Sequence, residues 1–199
     1  MRPVIAELPG SKIREVANAG LGRSDVLAFW FGESDEVTPD FVREAAQRSI
    51  AAGETFYSHN LGLPELRDAL GRYTTSLHAP VGPERVAVTS SGVNALMLAM
   101  QALAGAGDEV VAVVPVWPNL TAQPQILGAT GTRVPLKAAQ GAWRLDLDAL
   151  LAAVTPRTRV LLVNPPNNPT GWTLERSEQR SILEHCRRTG TWIVADEVY

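Results

Sequence analysis

Two polar clusters near the end of the sequence have the residue types of a ligand site. Asn164-Pro165-Pro166-Asn167-Asn168-Pro169-Thr170-Gly171 follows the apolar run Val160-Leu161-Leu162-Val163. Asp196-Glu197-Val198-Tyr199 follows Trp192-Ile193-Val194-Ala195. The first cluster holds three prolines and three asparagines. It is too polar for core, and its prolines forbid a helix or a central strand. A rigid loop that aims an asparagine side chain suits hydrogen bonding to a fixed ligand; the alternative is an ordinary turn. A carboxylate such as Asp196, ending an apolar strand, is expected to be largely desolvated and to need a positive partner or several donors. Tyr199 stands three residues on, so both side chains can face one ligand as the chain turns.

Two further stretches sit at comparable places upstream. Ser90-Ser91-Gly92-Val93-Asn94 follows a strand-like run and opens a helical one. A helix N-terminus presents unpaired N–H groups and the positive end of the helix dipole, which hold phosphate. Glycine there lets backbone approach a ligand closely. The same residues also read as a tight turn with a serine cap. Pro115-Val116-Trp117-Pro118-Asn119 follows the next strand-like run. An indole held between prolines at a strand end can stack on a flat aromatic ligand, or can simply close the sheet edge.

The elements that must position these residues alternate. Strands are expected at 26–31, 86–89, 109–114, 132–136, 160–163 and 192–195. Helices are expected at 39–52, 63–77, 94–103, 119–127, 146–154 (capped by Asp146) and 174–189 (capped by Thr173). Residues 53–62 read as a loop carrying Tyr57, His59 and Asn60. Continuous apolar strands alternating with helices imply an α/β fold, its sheet mostly parallel and covered by helices on both faces. Ligands of such sheets bind beyond the carboxyl ends of the strands. A domain boundary is expected between Thr38 and Gly62.

Composition narrows the function. The 199 residues are 45% hydrophobic and 20% charged, ordinary for a globular protein, and the formal net charge of −3 points to neither nucleic acid nor anionic membrane. No apolar run is long enough to span a bilayer, and Met1 to Leu8 lacks the apolar stretch of a signal peptide. The single cysteine, Cys186, fits a reducing cytosol and reads as a packing residue on a helix. His59, His78 and His185 do not cluster at metal-ligand spacing. A nicotinamide-binding sheet would carry Gly-x-Gly-x-x-Gly after its first strand, and none is found.

Together these residues resemble the class I/II aminotransferases, fold-type I pyridoxal-phosphate enzymes. Phe31-Gly32-Glu33-Ser34-Asp35 with Thr38-Pro39 resembles the family's Gly-Glu-Pro-Asp…Thr-Pro segment. Tyr57 with Gly62, Leu66 and Arg67 resembles its Tyr…Gly…Leu-Arg segment. Asn167-Asn168-Pro169-Thr170-Gly171 and Asp196-Glu197-Val198-Tyr199 resemble its two strongest signatures, and all matches run in the family's order. The resemblance implies that Asp196 pairs with the pyridine nitrogen of pyridoxal 5'-phosphate. It implies that Tyr199 and Asn168 bond the phenolic oxygen, that Trp117 stacks on the ring, and that Ser91, Gly92 and Val93 hold the phosphate. Gly32 would lie near the substrate carboxylate. Tyr57 would reach the phosphate of a neighbouring subunit, making a homodimer. A cis Asn168–Pro169 bond is implied as well.

On this resemblance residues 1–40 are expected to be an N-terminal segment of a small domain, and 41–199 the incomplete N-terminal part of a large cofactor-binding domain. The implied activity is cytoplasmic amino transfer from an amino acid to a 2-oxo acid. Carbon–sulfur β-lyases share the site and stand as the alternative within enzymes. A ligand sensor on the same fold would need a DNA-binding domain, for which 1–37 is too short and insufficiently basic. The family's Schiff-base lysine lies downstream of Asp-Glu-Val-Tyr. The two lysines here, Lys12 and Lys137, match no such place, and Lys137 reads as a solvated turn residue. The chain is therefore expected to be the N-terminal portion of a longer enzyme and to hold no covalent cofactor by itself.

Overall fold

The computed structural model describes all residues, 1–199. In chain order its helices are α1 (Pro3–Ala6), α2 (Lys12–Gly20), α3 (Asp40–Ala51), α4 (Pro64–Leu77), α5 (Gly92–Leu103), α6 (Pro118–Leu127), α7 (Leu147–Ala153) and α8 (Arg176–Thr189). Its strands are β1 (Glu109–Val114), β2 (Thr130–Pro135), β3 (Lys137–Ala139), β4 (Ala142–Arg144), β5 (Thr158–Val163) and β6 (Trp192–Ala195). Two compact units form, one from Met1–Pro9 with Ser90–Tyr199 and the other from Gly10–Thr89.

In the first unit a four-stranded sheet has the order β2-β1-β5-β6, with every pair parallel. Successive side chains point to opposite faces. Val111, Val113, Leu161 and Val163 therefore pack with Leu150 and Val154 at α7 and with Ile182 and Cys186 of α8. Val110, Ala112, Val160 and Leu162 pack with Met100 of α5 and Leu120 of α6. Two cores, one per face, explain why the central strands β1 and β5 carry continuous apolar runs, Val110–Val114 and Val160–Val163, rather than alternating. At roughly 1.5–3 kcal/mol for each fully buried Val or Leu, they supply much of the driving force for this unit.

Several elements depart from the sequence reading. α8 starts at Arg176, later than expected, because Glu175 and Glu178 form a reciprocal capping box and Thr173 does not cap. The hairpin β3–β4 was not expected. Its turn residues Gln140 and Gly141 have φ of 53° and 75°, a left-handed pair suited to a two-residue hairpin. Lys137 lies in β3 and pairs with Asp146, the α7 cap, at 2.7 Å, so it is an exposed ion-pair residue and not a turn lysine.

The second unit is helical. Neither 26–31 nor 86–89 forms a strand. Val88 donates one backbone hydrogen bond to Leu61, at 2.9 Å, and no ladder extends from it. Apolar, β-branched residues make an extended segment, but a strand also needs a partner for its backbone groups. Arg67 of α4 serves part of that role. Its guanidinium donates to the carbonyls of Val86 and Pro83 at 2.8 and 2.5 Å, fixing the segment before Ser90. Gly62 is required beside it: its φ is 99°, and an added Cβ would sit 2.6 Å from the Val88 side chain.

Candidate active site at the carboxyl ends of the strands

β1, β5 and β6 run parallel, and past an irregularity at Glu109 their register is continuous, with Ala112 opposite Leu162 and Val163 opposite Ala195, so all three end on one edge of the sheet. α6 starts directly after β1, with Trp117 at its N-cap. α5 returns to the start of β1 through residues 104–108, so its own N-terminus faces that same edge. The four stretches singled out in the sequence therefore converge there.

Asn164 organises the edge. It is 1% exposed and its side chain is used at both ends. Nδ2 donates to the carbonyl of Asp196 at 2.7 Å, and Oδ1 accepts the N–H of Asn168 at 2.8 Å. One residue thus ties the end of β5 to the end of β6 and sets where Asn168 and Asp196 lie. The loop beyond is locked by Asn167. Its Oδ1 accepts from the Thr170 N–H and hydroxyl, and its own N–H donates to Trp172. Gly171, at φ 69°, closes this turn in a region that a side chain disfavours. The Asn168–Pro169 bond is cis, as are Val114–Pro115 and Pro165–Pro166. Asn167 Nδ2 is buried without a partner.

Asp196 is half-buried and not largely desolvated, because β6 is an edge strand and residues 197–199 beyond it are exposed. Its backbone is held from both sides, the N–H donating to Val163 at 2.9 Å and the carbonyl accepting from Asn164. The carboxylate accepts only the Val198 N–H, at 3.3 Å, and takes part in none of the ion pairs of the chain. Asp196 is thus a positioned anion without a cationic partner.

Trp117 is half-buried against the core formed by α5 and α6. Ser91 is the N-cap of α5, its hydroxyl oxygen accepting the Asn94 N–H at 3.1 Å. Gly92 and Val93 are exposed, and their amides are first-turn donors that no carbonyl of the helix reaches. A Cβ on Gly92 would meet nothing within 4 Å, so the first turn is uncrowded at this position. Tyr199 is exposed and Asn168 half-buried. Tyr57 and Gly32 belong to the Gly10–Thr89 unit, and both are exposed. A cavity of about 410 Å³ lies at the other face of β5 and β6, lined by Val163, Pro166, Leu174, Ile182, Ile193 and Glu197. None of the site residues named above lines it.

These features suit a flat, cationic, phosphorylated heteroaromatic group. The unpaired carboxylate complements a protonated ring nitrogen, the indole complements a ring face, and the open helix start complements a phosphate. Sequence reasoning passed over two residues, Asn164 as the organiser and Gln123 of α6, whose Nε2 donates to the Val93 carbonyl at 3.1 Å.

Comparison with known proteins identifies the family of the chain and its fold. Residues 25–199 match the family described as aminotransferase class I and II. A probable aspartate/prephenate aminotransferase of Aquifex aeolicus is 35% identical over 190 residues, covering 95% of this chain and 47% of that protein. The aspartate/prephenate aminotransferase of Thermus thermophilus is 33% identical over 200 residues, covering 100% of this chain and 51% of that protein. The chain spans about half the length of the curated relatives it matches. A solved structure of a Thermus thermophilus aspartate aminotransferase single mutant superposes with a TM-score of 0.90 at 30% identity, covering 100% of this chain and 53% of that one.

Proposed function

The chain belongs to the class I and II aminotransferases, and on that premise we propose that it carries the cofactor-facing N-terminal portion of an enzyme moving an amino group from an amino acid to a 2-oxo acid. Pyridoxal 5'-phosphate is the cofactor of this family. When bound, it supplies an electron sink for the pair released as the substrate Cα proton leaves. The residues of the chain hold and tune that sink. The Asp196 carboxylate keeps a proton on the pyridine nitrogen, which favours the cationic ring. Asn168 and Tyr199 donate to the phenolic oxygen. Trp117 covers one ring face and excludes water from it. The first turn of α5, Ser91 to Val93, binds the phosphate. Gly32 leaves room for the substrate carboxylate.

In this reading residues 1–40 contribute to a small domain and 41–199 to a large one. The enzyme is a cytoplasmic homodimer in which Tyr57 reaches the neighbouring subunit's phosphate. No helix is long and apolar enough to cross a membrane. In this reading neither lysine of the chain serves as the covalent one, and Lys12 and Lys137 are exposed and paired to Glu15 and Asp146. The names of the relatives make aspartate and prephenate the first substrates to assay.

The observation that carries the proposal is the unpaired, backbone-locked Asp196 carboxylate at the shared edge of the sheet. Its test is calorimetric titration with pyridoxamine 5'-phosphate, which needs no lysine. We expect one site per chain in the wild type and roughly ten- to hundredfold weaker binding in Asp196→Ala, the scale of a hydrogen bond to a charged group. A wild type that does not bind, or a variant that binds equally well, refutes the reading.

A further inference from the structure

We infer that Gln123 is a positioning residue for the phosphate-binding turn, acting through the peptide between Val93 and Asn94 on the Ser91 hydroxyl. This rests on the proposed cofactor reading and adds to it a residue that none of the sequence signatures contains.

Gln123 lies in α6, thirty positions from Val93, and is only 4% exposed. Its amide orientation is dictated by chemistry. The Val93 carbonyl can only accept, so the atom facing it at 3.1 Å must be the NH₂ nitrogen. The other end of the same peptide is also engaged, because the Asn94 N–H donates to Ser91 Oγ at 3.1 Å. A relay results: Gln123 N–H to Val93 carbonyl, then Asn94 N–H to Ser91 oxygen. Donation into the carbonyl polarises the peptide and strengthens the donation from its N–H, so the two bonds support each other. α5 is thereby pinned at its first turn to α6, the helix that begins at Trp117. Beside the apolar packing of Met100 and Leu120, Gln123 adds a buried polar link between the element proposed to hold the phosphate and the one proposed to cover the ring.

A residue kept only for packing would not need an amide here. Gln123 Oε1 is buried without a hydrogen-bond partner, an unfavourable state that a methionine of similar length would avoid. Retaining the amide is reasonable if its N–H end has a task, and the only group it reaches is the Val93 carbonyl.

The test compares pyridoxamine 5'-phosphate with pyridoxamine, which differ only in the phosphate. Calorimetric affinities are measured for the wild type, Gln123→Met, Ser91→Ala and the double variant. Gln123→Met is expected to weaken the phosphorylated ligand three- to tenfold, the scale of one neutral hydrogen bond, and to leave pyridoxamine within twofold. The double variant is expected to lose no more than Ser91→Ala alone, because both substitutions break the same relay. An unchanged ratio of the two affinities in Gln123→Met, or losses that add in the double variant, overturns the inference while the cofactor reading stands. A wild type with no preference for the phosphorylated ligand overturns the cofactor reading and this inference together. Should Gln123→Met not fold, Gln123→Asn, whose shorter amide cannot reach Val93, is judged by the same ratio.

Discussion

Asn164 makes the most demanding prediction, because one buried side chain is asked to hold two loops. Asn164→Ala removes a donor from the Asp196 carbonyl and an acceptor from the Asn168 N–H, bonds of 2.7 and 2.8 Å. Each group left unpaired in a buried setting costs about 1–3 kcal/mol. Both partners are half-buried, which favours the lower part of that range. The sum is about 2–4 kcal/mol, large against a typical domain stability of about 5–15 kcal/mol but not enough to abolish folding. Asn164→Asp probes the geometry further. The introduced carboxylate keeps an acceptor for Asn168 but sets a second acceptor against the Asp196 carbonyl. Its protonated form restores a donor there. The folded state therefore raises the pKa of the new carboxyl above its unfolded value of about 3.9. A raised pKa contributes stability that is present below the unfolded value and lost as pH rises through the folded one. Asn164→Asp should thus be destabilised at pH 7 and recover toward wild type as pH falls toward 4. Urea denaturation across that range, with amide exchange of Asn168 as a local probe, measures both effects. A loss below about 0.5 kcal/mol in Asn164→Ala, or no acid recovery in Asn164→Asp, refutes the tie between β5 and β6.

Two further outcomes follow from the same unit. The Lys137 ammonium, hydrogen-bonded to Asp146, and then the Ala149 N–H hold the Asp146 carboxyl below its ordinary value. A lowered pKa contributes stability above the unfolded value and loses it as pH falls through the folded one. Lys137→Gln should therefore melt below wild type at pH 7 in low salt, with the gap closing at pH 3; a gap of equal size at both pH values would sink the assignment. Cys186 is 1% exposed in the core beside Ile182, and burial pushes its thiol up. Native alkylation by iodoacetamide should be slower than in the unfolded chain by on the order of a hundredfold or more. Equal rates would show that α8 does not pack as described.

What could be read from the residues alone depended on how local the cause was. β1 and β6 are legible to the residue because apolar runs, Val110–Val114 behind Glu109 and Trp192–Ala195, stand out from their polar flanks. The cap on α7 was legible because Asp146 acts three residues ahead on Ala149. The α8 start has an equally local cause in the Glu175–Glu178 pair, but Thr173 offers a competing cap two residues earlier. The hairpin β3–β4 was invisible because Lys137 to Arg144 has little apolar contrast, its order coming from a left-handed turn. Segments 26–31 and 86–89 read as strands because residue type reports extension and not the presence of a partner. The site divides along the same line. Asp196, Asn168, Trp117 and Ser91 to Val93 stand out as motifs at the ends of runs. Asn164 and Gln123, which set where those motifs sit, work across 32 and 30 residues, and no spacing in the sequence announces such a pair. Residues that touch a ligand are confined to a few side-chain types and so leave a signature. Residues that position them need only fit one place in the fold, which is why the structure was required to find them.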